Sequence, residues 1–235
     1  MARLPRLVIP DHPHHVILDA LDSLSAFRDE EDHAAFLGWL KMASRQFRVA
    51  LHAYVLLPGQ VQMLITPSDA TGLGKMMQWL GRQYVPYFNA RHGRAGTLWQ
   101  GRYRATLVDA GRYFLDCCRY LESAPVRAGL CGEPGQYRWS SYAHHAGIRQ
   151  DPLITDHPLY WQLGNTPFDR EAGYRRLMES GMSQAEISLF DQALRKGWPL
   201  GSDQFMRSLE KQTARRVAPA KRGRPPKPAP ETRDS

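Results

Sequence analysis

A chain of 235 residues, 43% of them hydrophobic, can bury one substantial core and a small second module, but not two full domains. Lys and Arg total 31 against 23 Asp and Glu, a formal charge of +8, which points to a polyanionic partner: nucleic acid or an anionic membrane surface. No apolar run approaches the roughly 18 residues of a membrane span, and the start, Met1-Ala2-Arg3-Leu4-Pro5-Arg6, lacks the features of a signal peptide, so a cytoplasmic protein is expected.

His14-His15-Val16-Ile17-Leu18 suits a first strand, and Asp29 to Phe47 places Phe36, Leu37, Leu40 and Phe47 at helical spacing. Val49 to Leu57 and Val61 to Thr66 read as the two strands of a hairpin turned at Pro58-Gly59. From Thr71, read as an N-cap, Leu73, Met76, Met77, Leu80, Tyr84 and Phe88 predict a long helix to about Ala90, broken by Gly93 and Gly96. Arg102 to Asp109 predicts another strand, and Arg112 to Ala124 another helix that Pro125 ends. This order predicts an α+β fold, a largely antiparallel sheet with helices on one face.

The body closes near residue 147. Residues 148–166 are turn-rich and read as a linker, and 167–210 as a small helical module with a capping box at Ser183-Gln184-Ala185-Glu186. Two readings fit that module: a DNA-reading helix-turn-helix, or short helices packed for ordinary reasons. Residues 211–235 form a basic tail expected to be disordered, since Lys211 to Lys227 holds several prolines and no acid. Within it Arg222-Gly223-Arg224-Pro225 matches an AT-hook core, whose arginines enter a narrow minor groove; a merely solubilising tail is the alternative. Cys117, Cys118 and Cys131 lack zinc-type spacing and are read as reduced structural thiols.

Between Ala70 and Val108 stand six basic residues, Lys75, Arg82, Arg91, Arg94, Arg102 and Arg104, and no acid. Trp79, Tyr84, Tyr87, Phe88, Trp99 and Tyr103 are interleaved with them, a mixture in which arginines hold phosphates and rings stack on unpaired bases. Helical spacing assigns Leu80, Tyr84 and Phe88 to the core, whereas Trp99 and Tyr103 are expected to be exposed.

Three separated motifs carry a family resemblance: His52-Ala53-Tyr54-Val55-Leu56-Leu57-Pro58, Leu98-Trp99-Gln100-Gly101-Arg102-Tyr103, and Arg119-Tyr120 followed by Pro125-Val126-Arg127-Ala128-Gly129-Leu130. With Trp139-Ser140-Ser141-Tyr142 they make residues 1–147 resemble the REP-associated tyrosine transposases, single-tyrosine HUH proteins. The resemblance implies a ferredoxin-like sheet, a homodimer, recognition of single-stranded or hairpin DNA, and strand cleavage and rejoining through a phosphotyrosine. Tyr120 takes the nucleophile position, and Arg82, Arg91, Arg94, Trp99, Arg102, Tyr103, Arg104 and Arg127, with Arg222 and Arg224 of the tail, are the expected DNA contacts.

The resemblance also implies a divalent metal, Mg²⁺ or Mn²⁺, held by a His-hydrophobic-His pair on a strand. Residues i and i+2 face the same way, so two imidazoles there reach one ion. This chain reads Gly59-Gln60-Val61-Gln62 at those positions, two neutral amides that hold an ion poorly, and Ala124 stands where a further ligand is common. His14 and His15 are the histidines nearest in the fold, one of them able to face the site. Three functional readings follow: a DNA-binding protein with transposase ancestry and weakened or lost cleavage, an active metal-dependent transposase, and a general interaction protein using a basic face. Loss of the metal side favours the first, because binding needs no ion.

Overall fold

The computed structural model describes residues 7–21 and 24–213; the tail beyond, with Arg222, Arg224 and the AT-hook-like motif, lies outside the described residues. The chain runs through strand β1 (His14–Asp19), helix α1 (Glu30–Gln46), strands β2 (Val49–Leu57) and β3 (Gln60–Pro67), helix α2 (Gly72–Arg91) and strand β4 (Arg104–Leu107). The strands pair antiparallel in the order β2-β3-β1-β4. This is the ferredoxin-like arrangement, in the element order that the sequence predicts.

Local chemistry sets the ends of these elements. Asp29 caps α1 by accepting the Asp32 N–H, and the acidic Glu30, Glu31 and Asp32 suit the positive end of the helix dipole. Thr71 is the N-cap of α2 but makes no side-chain cap; Asp69 accepts the N–H groups of Thr71 (2.7 Å) and Gly72 (2.8 Å) instead. Gly93, at φ +60°, turns the chain away after α2.

Helix α3 (Ala110–Glu122) ends sooner than its pattern suggests. Pro125 does not terminate it but sits in the first turn of a separate short helix, α4 (Ala124–Arg127), where a missing N–H needs no partner. There follow α5 (Tyr142–His145), α6 (Pro158–Trp161), α7 (Pro167–Glu179), α8 (Gln184–Lys196) and α9 (Asp203–Thr213). The capping box at Ser183 and Glu186 is present, and Thr166 with Asp169 makes a second.

Helices α1 and α2 cover one sheet face, packing Phe36, Leu40, Met76, Leu80 and Tyr84 onto Val16, Leu18, Met63 and Ile65. The structure adds a layer on the other face, where α3, α7 and α8 bring Phe114, Tyr120, Leu121, Tyr174, Phe190 and Leu194 into one cluster with Ile17, Val55 and Leu64. The helices of 167–210 thus share a core with the sheet. Residues 139–155 line the outer edge of β2: Leu56 N–H bonds the Trp139 carbonyl, Ser141 N–H that of Tyr54, and Thr155 N–H that of Leu51. Edge groups that would otherwise stay unpaired are thereby satisfied.

Candidate functional site

Strand register decides which side chains meet. Gln62 lies opposite Ile17 and Val55, and Gln60 opposite Asp19 and Leu57; opposed residues share a face, and Ile17 and Val55 belong to the α3-side cluster. Alternation along β1 puts His15 and Asp19 on that side as well. Arg104, opposite Ile17 on β4, joins them.

These groups form one hydrogen-bonded chain. His15 Nε2 donates to Gln62 Oε1 (3.0 Å), Gln62 Nε2 to Gln60 Oε1 (2.5 Å), and Gln60 Nε2 to Asp19 Oδ1 (2.8 Å). Arg104 closes it with an ion pair to Asp19 Oδ2 at 2.6 Å. Burial holds the His15 imidazole down to a pKa of about 4, so it is neutral at pH 7. Of the two histidines weighed from sequence, His15 faces the glutamines, while His14 Nδ1 bonds the His12 carbonyl and its Nε2 accepts the Ile9 N–H.

This donor set does not fit a divalent ion. Both glutamine carbonyl oxygens already accept hydrogen bonds within the chain, and the carboxylate of Asp19 is shared between an amide and a guanidinium. A cation, Arg104, stands where an ion would need a free carboxylate. A second cluster, Asp29, Asp32 and His92, has ligand atoms within 4.8 Å of one another. Arg91 fills it, bonding Asp29 (2.6 Å), Glu31 (2.6 Å) and Asp32 (2.8 Å), and His92 Nε2 bonds Asp32 at 2.8 Å.

Tyr120 reaches the same face from α3. Its ring meets His15 edge-on at 5.6 Å and stacks on Phe190 of α8 at 4.9 Å. The hydroxyl donates to Asp191 Oδ1 at 2.5 Å, and burial together with that carboxylate pushes its pKa well above the ordinary phenol value. Arg127 lies 4.3 Å from the ring centre and bonds the Tyr120 carbonyl at 2.7 Å. A nucleophile here would need its proton removed, and Asp191 is the acceptor within reach.

The preceding Arg119 is buried and ties α3 to the turn before α8 through Ser180 Oγ (2.9 Å) and the Gly181 carbonyl (2.7 Å), and to the first turn of α8 through Glu186 (3.0 Å). Glu122, fully buried, accepts from Ser141 Oγ, His145 Nδ1 (2.7 Å) and Tyr174 hydroxyl (2.6 Å). Both contacts hold the tyrosine helix against the later helices.

The expected DNA contacts separate into groups. Trp99 is not exposed, as its motif suggests, but 7% accessible; Phe36 and Tyr84 pack against its ring at 6.3 Å and 6.1 Å because a backbone bridge to Ala20 pulls it inward. Tyr103 is half-buried at the margin of the same core. Arg91 is committed to three carboxylates. Arg94 is held by Asn89 (3.0 Å) and lies 5.8 Å from the Phe88 ring. Arg82 and Arg102 are exposed and make no ion pair among the described residues.

Sequence reasoning does not single out Asp19 or Asp191. Asp19 is legible as the i+4 partner of His15 on one strand face. Asp191 lies 71 residues beyond Tyr120, and no local pattern connects them.

No family model matches the sequence, and no curated protein does. Among solved structures, a REP-associated tyrosine transposase bound to a REP hairpin matches with a TM-score of 0.51 at 14% identity, over 67% of this chain and 96% of that one. A protein from Deinococcus radiodurans provisionally described as a transposase gives 0.35 at 19% identity, over 49% and 93%. The tRNA(His) guanylyltransferase of Saccharomyces cerevisiae gives 0.39 at 12% identity, over 81% of each chain. With the first of these the likeness is one of architecture: the chain has the fold of a REP-associated tyrosine transposase.

Proposed function

We propose that the chain is a transposase-type DNA-binding protein that recognises single-stranded or hairpin DNA, REP-like in form, with cleavage and rejoining through Tyr120 weakened or lost. The observation that carries this reading is the His15–Gln62–Gln60–Asp19–Arg104 chain, which fills with mutually satisfied groups the place where the fold's relatives would need an ion. Binding requires no ion, and Arg82, Arg94, Arg102, Tyr103 and Arg127 supply the face for it, with Arg104, paired to one carboxylate but 39% exposed in its side chain, beside them. Arg91 and Trp99 drop out, the one neutralised and the other buried. Arg222 and Arg224 add minor-groove contacts on the strength of sequence alone, and a homodimer in the cytoplasm, associated with the nucleoid, completes the proposal. Residues 1–147 form its HUH-like part, with 167–210 as an appended module.

An active metal-dependent transposase is the second reading, favoured by one observation: the Tyr120 hydroxyl has a carboxylate acceptor at 2.5 Å. Gel-shift and cleavage assays on hairpin oligonucleotides, with and without Mg²⁺ or Mn²⁺, separate the two. The first reading expects hairpin DNA to be bound in preference to scrambled single strands, with or without metal, and left intact. Equal affinity for both DNAs would remove the recognition claim. Metal-dependent nicking that disappears in Tyr120→Phe would establish the second reading.

A further inference from the structure

A cavity of about 520 Å³ opens where the end of α1 meets the start of β2 and the end of β3. Its charged lining is Lys41, Arg45 and Arg48 against the single carboxylate of Asp11, with hydroxyls from Ser44, Thr66 and Ser68 and an apolar wall of Pro152 and Leu153. Lys41 and Arg45 are four residues apart on α1 and so project from one side of its last turns. None of the three cations makes an ion pair among the described residues, unlike Arg91, Arg104, Arg119 and Arg138, each of which holds a carboxylate.

Arg48 is placed there against its own backbone preference. Its φ is +51°, a left-handed conformation that Gly or Asn takes more easily. Hydrogen bonds on both sides hold it, from Arg48 N–H to the Arg45 carbonyl (3.3 Å) and from Ser68 N–H to the Arg48 carbonyl (3.0 Å). A long cation at a position suited to glycine is the kind of outlier from which a functional role is inferred.

We propose that this cavity is a second nucleic-acid contact, taking backbone phosphates of DNA; it rests on the DNA-binding reading above. The cations are spread over a helical turn and the following loop rather than converging on one point, which suits a charged backbone. No aromatic side chain among the described residues lines the cavity, so base stacking is not on offer and the contact is independent of sequence. It shares no lining residue with the Tyr120 centre, and the six residue steps from Gln60, at the far end of the polar chain, to Thr66 cover about 20 Å of strand.

The test is fluorescence anisotropy on the full chain with a labelled hairpin and a scrambled single strand, between about 50 and about 200 mM salt. Lys41→Ala, Arg45→Ala and Arg48→Gly, singly and together, should weaken both DNAs alike. They should also flatten the dependence of log affinity on log salt by about 0.9 for each duplex phosphate that the variant no longer neutralises. Arg48→Gly suits the left-handed backbone, so its melting temperature should equal or exceed that of the parent, and weaker binding by it cannot be put down to misfolding. Unchanged affinity and slope in the triple variant, while the parent binds DNA, would overturn this inference alone; no DNA binding by the parent would overturn the functional reading as well. Competition by deoxyadenosine monophosphate or inorganic phosphate where a scrambled oligonucleotide fails to compete would assign the cavity to a free phosphate compound, against the proposal.

Discussion

On the α1/α2 side of the sheet, Phe36, Leu40, Leu80, Tyr84 and Phe88 meet apolar strand residues, and the buried polar groups are Asp32 and His33 in the first turn of α1 and His14 at the start of β1. On the α3 side the core itself is polar in places: His15, Gln62, Arg119 and Glu122 are buried among Phe114, Leu121 and Phe190. An apolar layer needs volume and shape, whereas a polar layer needs every donor and acceptor matched, by partners drawn from distant parts of the chain. Tyr120 and the hydrogen-bonded chain beside it lie on the second side.

Acid should have the largest effect, through the buried imidazoles that both sides hold. Burial holds His15 and His52 on the α3 side at a pKa of about 4; on the α1/α2 side it holds His14, which alternates with Val16 and Leu18, at about 4 and lowers His33 as well. Unfolded, each takes a proton near 6.5, so the stability tied to the neutral form is full above that value. It is lost as pH falls from 6.5 towards 4, by roughly 3 kcal/mol for each histidine held at about 4. On the α1/α2 side Arg91 keeps the Asp29 carboxyl at about 2, so that contribution persists above 3.8 and fades only as pH falls through 2. Denaturant unfolding at pH 7 and near pH 4 should show a steep loss between them, and equal midpoints would contradict neutral burial of these imidazoles.

Glu122→Ala should cost about 3–5 kcal/mol, because Ser141, His145 and Tyr174 would each lose their acceptor in a dry interior. Chemical denaturation measures it. A loss below about 1 kcal/mol would mean that these donors find water, and the polar layer would then be less closed than its hydrogen bonds imply.

The same contrast explains what is legible in the sequence. Helical spacing of Leu73, Met76, Leu80, Tyr84 and Phe88 announces the α2 layer, since periodicity is a local property, and Pro58-Gly59 announces the hairpin. Gln60 and Gln62 can be placed on one strand face by parity alone. What they bond cannot: His15 lies 47 residues away and Asp191 lies 71 residues from Tyr120. Trp99 is misplaced by its motif for a related reason, its burial following from a backbone bridge to Ala20 rather than from its own arginine-rich neighbourhood. Arg91 looks like a phosphate contact in a stretch without acids, yet its three carboxylates come from residues 29–32.

Gln60→His with Gln62→His would test the polar chain directly. Two imidazoles at i and i+2 supply the missing ligand pair, so calorimetry should show Mn²⁺ binding that the parent lacks, and adding Arg104→Ala, which frees the Asp19 carboxylate, should strengthen it. Breaking three hydrogen bonds of the chain to do so should cost about 2–4 kcal/mol in the metal-free protein. No gain in Mn²⁺ affinity would refute this map of the face.

The smallest effect is the most local. Asp191→Asn removes the charge that faces the Tyr120 hydroxyl, so the phenol should titrate at lower pH than in the parent. Burial still keeps it above the ordinary value, since desolvation is the larger cause of its shift. The sign follows from the charged form: tyrosinate beside a carboxylate is repelled, while tyrosinate beside an amide can accept a hydrogen bond. Because Tyr54, Tyr84 and Tyr174 are raised as well, the measurement is an ultraviolet titration taken as a difference against Tyr120→Phe in each background. Exchanging a charged for a neutral acceptor should cost about 1 kcal/mol of stability, and an unmoved phenol titration would show that Asp191 does not govern the proton of Tyr120.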